Sequence, residues 1–235
     1  MSKVMLDNEG TLDKYIGDAI VAFYGAPVPV EDHELKSCKT ALAMQDALDD
    51  LRKKWESEAD WPDIIYSMQH RIGLNCGKMV TGNMGSEMRM NYTMMGDTVN
   101  LAARLESSAK QYGVYNFVGE NIYETTKDEY MFRFLDFVRV KGKNIPVKVY
   151  ELVSAKENAD NDMVNLVKIF EDGLDHYFQQ NWEKALALFK KAEDMEDHFT
   201  SRNTTPSAVY IDRCTMFKDN PPGKDWDGVW TMTSK

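Results

Sequence analysis

The chain has 235 residues, 43% apolar and 28% charged, the texture of a folded protein of one or two domains with room for a core. Its 28 basic and 38 acidic residues give a net charge of −10. That excess of acid points away from nucleic acid or an anionic membrane surface as a general partner, while a small anionic substrate needs only a few local cations. No window approaches the ~18 uninterrupted apolar residues of a membrane span, and the N-terminus lacks the basic-then-apolar pattern of a signal peptide. Cys38, Cys76 and Cys214 form neither a disulfide framework nor a zinc signature, which fits a reducing, cytoplasmic setting.

Residues 1–10 read as a bare approach to a strand. Residues 11–23 (TLDKYIGDAIVAF) are two apolar runs broken at Gly17-Asp18, the pattern of a β-hairpin. Pro27 and Pro29 mark a loop, and residues 33–55 place Leu35, Cys38, Leu42 and Leu48 near one face of a helix. Residues 70–80 alternate as a strand, with Gly82 and Gly85 punctuating a turn. A short strand at 92–95 leads into a helix at 97–112. Another short strand at 116–118, a short helix at 121–126 and two strands at 132–140 and 147–153 follow. These elements predict an α+β domain over 1–154 with a largely antiparallel sheet. The polar stretch 155–162 reads as a linker. Residues 163–235 read as a helical tail in which Trp182-Glu183-Lys184-Ala185-Leu186, Phe189 and Ala192 are similar to half of a tetratricopeptide repeat.

Several features carry possible chemistry. Asp18 sits at the tip of the Lys14-Tyr15-Ile16-Gly17-Asp18 hairpin, where a carboxylate can bind a hard cation such as Mg²⁺; taken alone, an Asp in a Gly-Asp turn is more often an ordinary turn residue. Asn100 and Arg104 are four apart at the start of a helix, so they share a face suited to a ribose oxygen and a phosphate, or simply to solvent. Lys141 and Lys143 lie in a hairpin turn, either solvated or binding phosphate. There is no P-loop, no dinucleotide GxGxxG and no G-x-S-x-G elbow, and His33, His70, His176 and His198 lack metal-ligand spacing.

Taken together, LDKYIGDAIVAFYGAP, HRIGLNCGKMVTGNMGSEMRMNYTMMGDTVNLAARLE and VKGKNIPVKVYEL, in that order, resemble the class III nucleotidyl cyclase catalytic domain over residues 10–153. The resemblance implies a ferredoxin-like α+β core and a head-to-tail homodimer with two active sites at the subunit interface. The implied activity is conversion of ATP to cyclic AMP and pyrophosphate, assisted by two divalent ions, Mg²⁺ or Mn²⁺. By the same resemblance Asp18 is a metal ligand and Lys14 and Thr93 read the base. Asn100 orients the ribose, Arg104 stabilises the transition state, and Lys141 (or Lys143) contacts the triphosphate. Lys14 and Asp18 would serve opposite composite sites. Lys14 can only donate, which suits adenine N1; Thr93 can donate or accept, so it permits adenine N6 without excluding guanine.

The family's first metal-binding aspartate belongs to an F-x-D-I-type strand upstream of the Lys14 hairpin, and neither Asp7 nor Asp13 has that context. The sequence therefore reads as a domain lacking its first strand and the two helices after it, poorly active alone and compatible with a membrane-anchored parent. Two other readings follow: a non-catalytic half that pairs with a complete partner, and a protein whose aromatic-rich tail makes protein contacts.

Overall fold

The computed structural model describes residues 1–139, 145–196 and 202–231. The chain opens with a short helix, α1 (Ser2–Asp7), where no lead-in was expected. It forms because Met5 is buried against Gly10, pinning the segment to the start of the hairpin. Strands β1 (Thr11–Ile16) and β2 (Ala19–Phe23) follow, joined at Gly17-Asp18 with Gly17 at φ +63°. Next come helices α2 (His33–Glu58) and α3 (Asp63–Tyr66).

The expected strand at 70–80 is only β3 (Ile72–Leu74). The chain leaves the sheet there because Asn75 turns its amide to the carbonyl of Thr98, at 3.0 Å. Strands β4 (Val80–Ser86) and β5 (Arg89–Met95) then form a long hairpin, paired from Val80↔Met95 to Ser86↔Arg89. Gly82 and Gly85, expected in a turn, are rungs of that ladder, and the turn falls at Glu87-Met88. Helix α4 (Asp97–Tyr112), β6 (Asn116–Gly119), α5 (Glu120–Thr126), β7 (Tyr130–Arg139) and β8 (Val147–Ala155) match the expected order.

The expected linker at 155–162 is shorter than the composition suggested. Ala155 still belongs to β8, and α6 (Asn161–Phe178) begins where Asp160 caps it, accepting from the Met163 amide at 2.8 Å. Helix α7 (Trp182–Glu193) follows a three-residue turn. Helix α8 (Pro206–Asp219) is capped by Thr205, with Pro206 at the first position, where its missing N–H costs nothing. The last strand, β9 (Trp230–Thr231), was not anticipated.

The main sheet has the order β3-β6-β8-β7-β9. The β6–β8 and β8–β7 pairs are antiparallel, and the outer pairs β3–β6 and β7–β9 are parallel, so the sheet is more mixed than expected. Both faces are covered. On one, α2 and α5 bury Cys38, Ala41 and Ile122 against Val118, Phe132, Tyr150 and Leu152. On the other, α4 and all three tail helices share one core with Phe117, Leu135, Val138 and Val149.

The tail is tied to the sheet by buried charge as well as by apolar contact. Arg133 on β7 lies between Glu151 on β8 (2.6 Å) and Glu196 just past α7 (2.6 Å), and Arg202 closes on Glu151. Burial alone would raise the Glu151 carboxyl, but Arg133 and Arg202 hold it below its ordinary value. The tail aromatics pack on one another: Trp226 lies 5.2 Å from Tyr177 and 5.6 Å from Trp182, ring to ring.

Candidate active site

The candidate residues among those described sit on two hairpins and one helix outside the strands of the main sheet. Hairpins β1–β2 and β4–β5 each form a separate two-stranded sheet, and the two hairpins meet at Lys14 and Thr93. The Lys14 ammonium donates to Thr93 Oγ1 at 3.0 Å across 79 residues of sequence. Thr93 is buried, whereas Lys14 is half exposed. The two residues that the resemblance assigns to base reading are thus in direct contact.

A third residue belongs to this contact and was passed over in the sequence. Thr93 donates its hydroxyl proton to Asp13 Oδ2 at 2.8 Å, and Asp13 Oδ1 lies 3.4 Å from the Lys14 ammonium. The Asp13 side chain is only 2% exposed. A β-bulge explains how neighbours in one strand reach the same target. Leu12 pairs with Ala22 and Lys14 with Val21, so Asp13 is the extra residue. A regular strand would send Asp13 and Lys14 to opposite faces; the bulge breaks that alternation. The available signal was the adjacent pair of charged residues in a short half-buried strand.

Asn100 and Arg104 lie on the first two turns of α4, which starts one residue after β5. Neither side chain has a hydrogen bond or ion pair among the described residues, and Asn100 is exposed with Arg104 partly so. Helix α4 is held in place by Asn75 on the Thr98 carbonyl and by Thr98 Oγ1 on the Lys78 carbonyl, 3.1 Å. Gly73 of β3 lies directly beneath it. A Cβ there would collide with the Ala102 carbonyl and come within 2.5 Å of the Glu106 amide nitrogen. The missing side chain lets the helix rest on the strand.

Asp18 is exposed in the β1–β2 turn and likewise has no polar partner among the described residues. The structure therefore joins Lys14 with Thr93 and sets Asn100 and Arg104 on one helix, while Asp18 stands by itself at a hairpin tip. Lys141 and Lys143 lie outside the described residues. Among the described residues, one other cluster has metal-capable donors: His33, Glu34 and Cys76, all within 4.8 Å. Its spacing hid it, because Cys76 is 42 residues from Glu34. Burial, then the Glu34 carboxylate, pushes the Cys76 thiol up to about 12. Cys38, Cys76 and Cys214 are free thiols.

The two hairpins also carry exposed apolar side chains: Tyr15 and Ile16 on one, Val80, Met88, Met90 and Met95 on the other. No helix among the described residues is long and apolar enough to cross a membrane.

Comparison with known proteins shows that the fold is that of a nucleotidyl cyclase catalytic domain. Residues 5–154 match the adenylate and guanylate cyclase catalytic domain model. The chain belongs to that family. It is 31% identical over 215 residues to the terminal-differentiation-specific adenylate cyclase of Dictyostelium discoideum, covering 88% of this chain and 9% of that protein. It is 32% identical over 152 residues to adenylate cyclase 1 of Rhizobium meliloti, 65% of this chain and 22% of that protein. The chain thus spans less than a quarter of the length of either. Among solved structures, the adenylyl cyclase CyaB from P. aeruginosa superposes with a TM-score of 0.58 at 30% identity, over 68% of this chain and 79% of that one. The guanylyl cyclase Cya2 gives 0.55 at 28%, over 68% and 77%. Relatives with either base preference are therefore similar to this chain.

Proposed function

We propose that the chain is the catalytic part of an adenylate cyclase, making 3′,5′-cyclic AMP and pyrophosphate from ATP. The observation that carries this reading is the contact between Lys14 and Thr93. An ammonium that can only donate, beside a hydroxyl oxygen that accepts, is the complement of the adenine edge, where N1 accepts and the N6 amino group donates.

In the reaction the ribose 3′-oxygen attacks the α-phosphorus. A new P–O bond forms, the bond to the bridging oxygen breaks, and pyrophosphate leaves with that electron pair. Asn100 orients the ribose so that the attacking oxygen is already near the phosphorus. Arg104 presents a guanidinium to the phosphoryl oxygens, which gather negative charge in the pentavalent transition state, and so binds that state more tightly than the substrate. Lys141 contacts the triphosphate.

The family uses divalent ions, and the resemblance implies two. Asp18 fits as one ligand: it offers an exposed carboxylate, the hard oxygen donor that Mg²⁺ or Mn²⁺ prefers, with no competing partner among the described residues. When bound, such ions neutralise phosphate charge and lower the pKa of the attacking hydroxyl. The exposed apolar side chains on the two hairpins support a head-to-tail homodimer in which Lys14 and Asp18 serve different composite sites. The tetratricopeptide-like character of α6 and α7 is a further proposal, and residues 1–154 are taken as the catalytic domain.

The test is cyclic AMP and cyclic GMP production from ATP and GTP with Mn²⁺ over a range of protein concentrations. Cyclic AMP rising faster than linearly with protein, and lost in Arg104→Ala, supports the reading. Mixing inactive Lys14→Ala with inactive Asp18→Ala should restore activity, because each mixed dimer contains one site free of both changes. No product from the chain, or from a longer dimeric parent, would favour a non-catalytic partner instead.

A further inference from the structure

We propose that Asp13 sets the base preference of this site by fixing the direction of the Thr93 hydroxyl. The inference rests on the cyclase reading above and assigns a role to a residue outside the set the resemblance supplies. A threonine hydroxyl has one proton and two lone pairs. Here the proton is committed: Thr93 Oγ1 donates to Asp13 Oδ2 at 2.8 Å, and a carboxylate oxygen accepts and does not donate in return. On its other side Thr93 accepts from the Lys14 ammonium at 3.0 Å. The pair bounds Thr93 from both directions, with a donor that cannot accept and an acceptor that does not donate. What Thr93 has left for a nucleobase is a lone pair, and what Lys14 has left is N–H.

The site therefore presents one donor and one acceptor, in that order, and adenine answers both, N1 accepting from Lys14 and the N6 amino group donating to Thr93. Guanine in the same pose answers neither: its N1–H meets the ammonium and its O6 meets the Thr93 lone pair. Without Asp13 the Thr93 hydroxyl would be free to rotate and donate to O6, removing one of the two mismatches. Asp13 is thus a positioning residue, acting on the base through Thr93. The fold supports this assignment independently of the hydrogen bond itself. Asp13 is the extra residue of the β1 bulge, its side chain is 2% exposed, and its Oδ1 has no hydrogen-bond partner among the described residues, lying instead 3.4 Å from the Lys14 ammonium. An orphaned carboxylate oxygen in a buried strand position is costly unless its surroundings use the charge.

The experiment measures kcat/KM and equilibrium binding for ATP and for GTP, with Mn²⁺, on the wild type, Asp13→Leu, Asp13→Asn, Thr93→Val and the Asp13→Leu/Thr93→Val double variant. Melting curves report folding. Freeing the hydroxyl should lower the ATP:GTP preference by about tenfold in Asp13→Leu, the scale of one repaired mismatch in a desolvated site. Asp13→Asn, whose amide can either accept or donate, should fall between Asp13→Leu and the wild type. In the Thr93→Val background the Asp13→Leu change should move the preference by less than about twofold, since there is no hydroxyl left to orient. A purely structural role for Asp13 would instead change both backgrounds alike. If Asp13→Leu does not fold, the isosteric Asp13→Asn decides. A wild type that selects ATP, with the preference unchanged in the Asp13 variants, overturns the Asp13 role alone. A wild type that prefers GTP, or binds neither nucleotide, overturns the adenylate cyclase reading and this inference with it.

Discussion

Arg213 on α8 donates to Asp136 on β7 at 2.6 Å, inside the core and across 77 residues of sequence. Tyr112 of α4 donates to the same carboxylate oxygen at 2.6 Å, and the guanidinium stacks over the Trp230 ring at 3.8 Å. Burial raises the Asp136 carboxyl from its ordinary value, with Arg213 and Tyr112 opposing the rise. Removing one partner of such a pair leaves the other buried and unpaired, which typically costs about 3–5 kcal/mol. Arg213→Met should lower unfolding stability on that scale in urea titrations. Because the tail helices and the sheet share a core, unfolding followed by tail tryptophan fluorescence in a Trp55→Phe/Trp61→Phe background and by circular dichroism should give coincident transitions.

Arg104 offers the opposite case, a residue with a proposed role in the reaction and little structural weight. It has no ion pair among the described residues. Arg104→Ala should reduce turnover by about 10²–10³-fold, the usual scale for losing a group that stabilises developing charge. The melting midpoint should stay within about 2 °C of wild type, as for a surface substitution of small energetic effect.

Gly73 links the sheet to the site. Adding a methyl group there drives Cβ into the backbone of α4 at Ala102 and Glu106, which no rotamer change relieves. Gly73→Ala should cost about 1–3 kcal/mol as an overpacked contact. It should also lower kcat more than it raises KM, because the shift moves Asn100 and Arg104, the residues proposed to act on the reacting centre, while the Lys14–Thr93 contact lies on other elements.

His70 makes stability depend on pH. Burial, then the positive N-terminus and Arg52, pulls its pKa down from 6.5 to about 4, and its Nε2 is buried without a hydrogen-bond partner among the described residues. Between these values the unfolded chain binds a proton that the folded chain does not, so stability falls as the pH drops from about 6.5 towards 4. His70→Gln should flatten that part of the urea-midpoint-versus-pH curve. An unchanged slope would mean that other groups set it.

Much of this was readable in the residues. The α4 helix at 97–112 and the first hairpin were legible because their apolar spacing and turn residues agree with the tertiary structure. The pairing of Lys14 with Thr93 was suggested by resemblance alone, since nothing in the local pattern connects the two. Asp13 was not legible, because a bulge breaks the alternation by which a strand's faces are read. Gly82 and Gly85 misled for a related reason: glycine punctuates turns, yet here a long ladder runs through both. Strand β9 escaped notice because two residues carry no period, and its place depends on pairing with Val138 and Arg139 far upstream.

The bulge in β1 also bears on which insertions and deletions the hairpin tolerates. Its extra residue gives the strand a length that cannot change by one without exchanging which side chains face Thr93. Deleting Asp13 or Lys14 would leave the turn and the strand pairing free to re-form, yet it would remove one of the two side chains that contact Thr93. Among related hairpins, equal strand length should therefore matter as much as matching residues, and an alignment that slides a gap into this strand would pair the wrong side chains with Thr93.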